Sequence, residues 1–149
     1  MGNIEQLAIN FRKAIEKAQK NNEDGYYFKD FPFGQCGATS DMLAQYYIDN
    51  GITDVFYVNG IYYSERFEIG ISHAWLQVSG KIVDITGDQF KEQPYPLAFD
   101  EPVYVGELSR FHSLFDVKKG SYHIHHGLDP SWLNYHDISR WYKAIQKNL

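Results

Sequence analysis

The chain has 149 residues, the size of one domain spanning 1–149 that buries about two-thirds of its unfolded surface, and its 44% hydrophobic and 17% aromatic content supports a packed core. A formal net charge of −5 with no Lys/Arg-rich face argues against a nucleic-acid partner. One cysteine permits no internal disulfide and suits a reducing, cytoplasmic setting; no apolar leader or long apolar run marks export or a membrane span, and Gln6 stands where a myristoylation start at Met1-Gly2 needs Ser or Thr.

In chain order, Asn3 is an N-cap with Gln6 three residues on, and Ile4, Leu7, Ala8, Phe11, Ile15 and Ala18 recur at helical spacing. The opposite side, with Glu5, Arg12, Lys13, Glu16, Lys17 and Lys20, reads as a solvated face. Asn21 to Gly25 end this helix. Tyr26-Tyr27-Phe28, Phe31 and Phe33 then lead into a loop, as staples to the core or as walls of a cleft.

The stretch Phe33-Gly34-Gln35-Cys36-Gly37-Ala38-Thr39-Ser40 carries the cysteine where that loop becomes a helix. Pro32 and Gly34 break regular structure ahead of it, and Met42, Leu43, Tyr46, Tyr47 and Ile48 keep helical spacing until Asn50-Gly51. Cys36 therefore falls in the first turn. Free backbone N–H groups and the positive end of the macrodipole favour thiolate there. The other use of a lone cysteine is as a small buried hydrophobe.

Val55 to Val58 reads as a strand closed by Asn59-Gly60, followed by Ile61 to Tyr63 and a further piece at Phe67 to Ile69. Next come Ser72 to Val78 and Lys81 to Thr86, joined at Ser79-Gly80. With a two-residue loop, Val78 pairs with Lys81, Leu76 with Val83 and Ala74 with Ile85, an apolar face. The other face carries His73, Trp75 and Gln77 against Ile82, Asp84 and Thr86, so that His73 and Asp84 are diagonal neighbours roughly 7–8 Å apart. A three-residue loop would move Asp84 to the opposite face, and Asp88 is then the alternate orienter of the imidazole.

From Thr86 to Pro102 the chain is irregular, with Pro94, Pro96 and Pro102. Pro102 to Gly106 is one more strand and Arg110 to Gly120 a loop. His112, His123, His125 and His126 raise a metal question; the alternating pair 123 and 125 has no Cys or third carboxylate spaced to complete a tetrahedral site, so neither metal nor cofactor is expected and a cleft-rim role is preferred. A helix from Tyr135 to Lys147, with Ile138, Trp141, Tyr142 and Ile145 in one stripe, closes the chain. Helices flanking a mostly antiparallel sheet make the fold class α+β.

Three of these pieces resemble the transglutaminase-like and papain-like cysteine enzyme superfamily. Gly34-Gln35-Cys36 is similar to the transglutaminase Gly-Gln-Cys element, His73-Ala74-Trp75 to its His-Ala-Trp strand and Val83-Asp84-Ile85-Thr86 to its Asp-x-Thr strand, over residues 33 to 90. Gly37 stands where transglutaminases carry a Trp, the chain is far shorter, and no acidic loop resembles a calcium site. Small bacterial members are the nearer likeness. The resemblance implies a papain-like core with the nucleophile helix packed on an antiparallel sheet, Cys36 as nucleophile, His73 as base and Asp84 as orienter. The Cys36 N–H would be one oxyanion donor, with Gln35, Trp75 and Gln89 as candidates for the second or for substrate binding.

The expected chemistry is acyl transfer through a thioester. Hydrolysis of a peptide, isopeptide or side-chain amide in a peptide or protein substrate comes first, as in a thiol protease. Transglutaminase-like or N-acyltransferase activity, or a bacterial toxin deamidase, is the alternative within the class, and a catalytically silent binding module the alternative outside it. No motif speaks to oligomeric state.

Overall fold

The computed structural model describes residues 3–64 and 67–149, so the Met1-Gly2 start lies outside the described residues. Helix α1 (Ile4–Lys20) begins where Asn3 Oδ1 accepts the Gln6 N–H at 2.9 Å. The Gln6 side chain reaches forward to Asn10 at 2.8 Å, so the cap is one-way rather than a reciprocal box. A single distorted turn, α2 (Glu23–Tyr26), with Asp24 and Gly25 in the left-handed region, reverses the chain. Phe28 and Phe31 are buried and the Gln19 amide donates to Lys29 O and Phe31 O at 3.0 and 3.2 Å, so this loop is stapled to α1. Helix α3 (Cys36–Asp49) then starts at the cysteine, as its sequence predicts.

Five antiparallel strands follow: β1 (Val55–Ser64), β2 (Phe67–Val78), β3 (Lys81–Asp84), β4 (Tyr104–Gly106) and β5 (Asp116–Ile124), in the order β4-β3-β2-β1-β5. Helix α4 (Tyr135–Gln146) ends the fold. The architecture is a mixed one of helices and one antiparallel sheet, of the α+β kind.

Two expectations are corrected. Asn59-Gly60 does not close a strand, because β1 runs straight through it and Gly60 pairs with His73. Glycine is needed there for close approach, not for turning: a Cβ on Gly60 would sit 2.7 Å from that of Phe115. Arg110 to Gly120 is not all loop either; it holds a 3₁₀ turn (His112–Leu114) and the first half of β5. That strand is an exposed edge, so burial imposes no apolar alternation on its sequence.

The hairpin forms as its sequence predicts. Ser79 (φ 51°) and Gly80 (φ 82°) both take positive φ, the type I′ pattern whose twist matches the strands. Val78 pairs with Lys81 and Leu76 with Val83, but β3 stops at Asp84 and the Ala74–Ile85 pair is not made.

Both faces of the central strands are covered. Val55, Leu76, Val78 and Val83 pack under α1, α3 and α4, in one core with Phe11, Ile15, Met42, Leu43, Tyr47, Ile138 and Ile145. On the other face Val58, Trp75 and Ile82 meet Phe90, Leu97, Phe111 and Phe115, brought in by the irregular segments. Polar side chains on that second face therefore sit in a core. Among the described residues no helix is long and apolar enough to cross a membrane.

Candidate active site

Cys36 opens α3, where the first-turn N–H groups lack intrahelical acceptors, and its side chain is only partly buried. His73 on β2 is fully buried, ringed by Trp75, Phe90, Phe111 and Phe115 at centroid distances of 5.0–5.7 Å. Asp84, the last residue of β3, is 1% exposed, and its Oδ2 accepts the His73 Nε2–H at 2.7 Å. The structure thus brings Cys36, His73 and Asp84 together. The hairpin register does most of this, by setting the two side chains as diagonal neighbours on one face.

The electrostatics follow from burial opposed by pairing. Burial alone would raise the Asp84 carboxyl; the His73 charge and hydrogen bonds from two imidazoles hold it well below the ordinary carboxylate range. Burial alone would lower His73, yet Asp84 first and Cys36 second push it up to about 9. For Cys36 burial raises the thiol, and the interaction with His73, with a smaller contribution from the Ala74 N–H, more than reverses it, so its pKa lies below the ordinary value. With Nε2 on Asp84, Nδ1 is the ring nitrogen left for the thiol. Gln89 Nε2 donates to Thr86 O at 3.1 Å and lies 3.3 Å from Nδ1, to which it donates in the neutral ring.

A second histidine was not expected here. His112 Nε2–H also donates to Asp84 Oδ2 at 2.7 Å, while Ser109 Oγ donates to its Nδ1 at 2.6 Å and accepts its backbone N–H at 3.0 Å. Thr86 N–H supplies Asp84 Oδ1 at 3.0 Å. A buried carboxylate with three such donors stays ionised. Of sequence signals, only the Ser-x-x-His spacing of 109 and 112 pointed to this pair. The atoms of His73, Asp84 and His112 are also the described group close enough to share a cation, within 4.8 Å of one another. Their nitrogen–oxygen separations of 2.7 Å are those of charge-assisted hydrogen bonds, and a cation there would take the Nε2 that Asp84 holds, leaving the proton on Nδ1 and the ring unable to act as a base toward the thiol.

The remaining candidates have other employment. Asp88 does not face His73: both its oxygens accept the Arg12 guanidinium, at 2.9 and 2.8 Å. Arg12 is correspondingly 8% exposed rather than part of a solvated face, since the segment after Asp84 folds back over α1. Gln35 commits an amide N–H to Tyr27 O at 2.8 Å and leaves Oε1 a buried acceptor without a partner among the described residues. Trp75 is buried in the aromatic core beside His112, at 4.8 Å. His125 bridges Asp41 Oδ1 (2.9 Å) and Gly127 N–H (2.9 Å), and His123 stacks on Tyr57 at 5.3 Å, so these two do not converge on a metal. With the exposed His126 they line a cleft of about 380 Å³ that also includes Trp132; Cys36 is not among its lining residues.

Tyr57 stands beside the nucleophile. Its hydroxyl lies 3.4 Å from the point a Cβ on Gly37 would occupy, and burial, Asp41 and then Cys36 push its pKa up to about 12, so it is a neutral donor. Comparison with known proteins finds no protein family, characterised protein or solved structure that matches the chain.

Proposed function

We propose that the chain is a cysteine-dependent acyl-transfer enzyme, first of all a hydrolase of an amide in a peptide or protein substrate, working through a thioester on Cys36. The observation that carries this reading is a half-buried thiol at a helix start, coupled to an imidazole whose far nitrogen is held at 2.7 Å by a buried ionised carboxylate. Residue types and their order along the chain support kinship with the transglutaminase-like and papain-like superfamily, and with it a papain-like core.

In this reading the Cys36 thiolate attacks the carbonyl carbon and the carbonyl electron pair moves onto oxygen. The Cys36 N–H and the Tyr57 O–H are the donors to that oxyanion, the role first considered for Gln35, Trp75 or Gln89. Collapse of the adduct expels the amine, which takes the proton held by the His73 imidazolium. Water then attacks the thioester, His73 accepts its proton, and collapse breaks the C–S bond, releasing the acid and restoring the Cys36 thiolate beside the His73 imidazolium. Asp84 fixes the ring throughout. An amine in place of water would give transfer instead, from the same intermediate.

The test is acylation by p-nitrophenyl acetate, followed by peptide mapping. A burst of p-nitrophenolate with an acetyl group on Cys36, absent in Cys36→Ala and His73→Ala, is expected; faster release with added primary amine would favour transfer over hydrolysis. An unmodified Cys36 would favour the silent binding module.

A further inference from the structure

The hairpin register says where β3 would run if it continued. Val78–Lys81 flanks a two-residue turn and is a hydrogen-bonded pair, so Leu76–Val83 and then Ala74–Ile85 are the next of that kind. At the last pair the Ala74 N–H would meet the Ile85 carbonyl. Both groups are engaged elsewhere: Ile85 O accepts Arg12 Nη1 at 2.7 Å, and the Ala74 N–H helps to lower the Cys36 thiol's pKa.

Arg12 is built into that junction. Its fork spans both Asp88 oxygens, Nη1 also reaches Pro102 O at 3.3 Å, Nε donates to Glu16 at 3.0 Å, and the guanidinium carbon lies 4.8 Å from the Phe31 ring in the loop before Cys36. One side chain of α1 thus touches the nucleophile loop and the end of β3 together. A planar, always charged, five-donor group can do this; an ammonium cannot.

We infer that Arg12 is a positioning residue for the nucleophile: by capturing the Ile85 carbonyl it ends the pairing of β2 with β3 at Leu76–Val83 and leaves the Ala74 amide free to hold the Cys36 thiolate. The inference rests on the thiolate chemistry proposed above. It gives the Arg12–Asp88 pair a purpose beyond packing, because the strand edge it opens is the one the sulfur occupies.

Arg12→Lys tests it, with the iodoacetamide alkylation rate of Cys36 against pH and the Ala74 amide resonance as readouts. Loss of one hydrogen bond to a charged group should slow alkylation at pH 7 roughly threefold to tenfold and move the titration upward. In wild type the Ala74 amide should shift as the thiol titrates, and in Arg12→Lys it should not. A cooperatively melting Arg12→Lys with the wild-type alkylation profile overturns the inference. Should that variant not melt cooperatively, Asp88→Asn, which loosens the guanidinium and keeps it, decides by the same readout: slowed alkylation supports the inference and a wild-type profile overturns it. A wild-type thiol indifferent to His73→Ala would overturn the enzyme reading and this inference together, whereas a His73-dependent thiol indifferent to Arg12 overturns this inference alone.

Discussion

At the scale of single residues, the question is which donors a thiolate and its products meet. Gly37 leaves open the space beside which the Tyr57 hydroxyl sits, and the ring is steadied by stacking on His123. Tyr57→Phe separates its two possible uses. Alkylation by iodoacetamide is a displacement with no oxyanion, so its rate should stay at the wild-type value; acylation by p-nitrophenyl acetate, which passes through an oxyanion, should fall about a hundredfold. Equal effects on both rates would make Tyr57 a packing residue. The His73–Asp84 pair was legible in the sequence because a short hairpin sets it, and the helix start singled out Cys36; that the thiol meets the pair followed only from residue types and their order along the chain. His112 and Arg12 were not, since each meets the site through contacts 28 or more residues apart along the chain, for which one sequence holds no spacing rule.

At the scale of elements, β1 and β5 show how glycine misleads when read only as a turn signal. Gly60 and Gly120 are strand residues that let neighbouring groups close in. A Cβ on Gly120 would lie 2.0 Å from the Asn59 carbonyl oxygen, a backbone atom that cannot step aside without parting the strands. Gly120→Ala should therefore cost about 3 kcal/mol of stability by overpacking, measured by urea denaturation, and a variant as stable as wild type would refute that packing. The long helices α1, α3 and α4 were legible to within a residue or two because caps and a 3.6-residue stripe set them, Asn3 for α1 and Ile138, Tyr142 and Ile145 for α4, whereas the short turn α2 was read as a helix stop. Strand β5 was not, since it lies exposed at the sheet edge, where its side chains answer to solvent and not to a core.

At the scale of the whole molecule, the central strands bury both faces, and this sets the electrostatics of the site. Had the His73 face been open to water, Asp84 and His73 would titrate near their ordinary values. Enclosure by Phe90, Phe111 and Phe115 removes water and leaves ionised Asp84 to hold the imidazole proton up to about pH 9. The thiol moves the other way. Between the lowered Cys36 titration and the His73 titration near 9, the site holds a thiolate beside an imidazolium, and turnover should be bell-shaped over that window. The acid limb belongs to the thiol gaining a proton and the alkaline limb to the ring losing one.

The alkylation rate of Cys36 by iodoacetamide against pH, in wild type and in His73→Ala, reads that window without a substrate. A titration below the ordinary thiol value of about 8.5, moving upward when His73 is removed, is the expected result. An ordinary thiol whose titration ignores His73 would contradict the paired site and leave the chain a binding module.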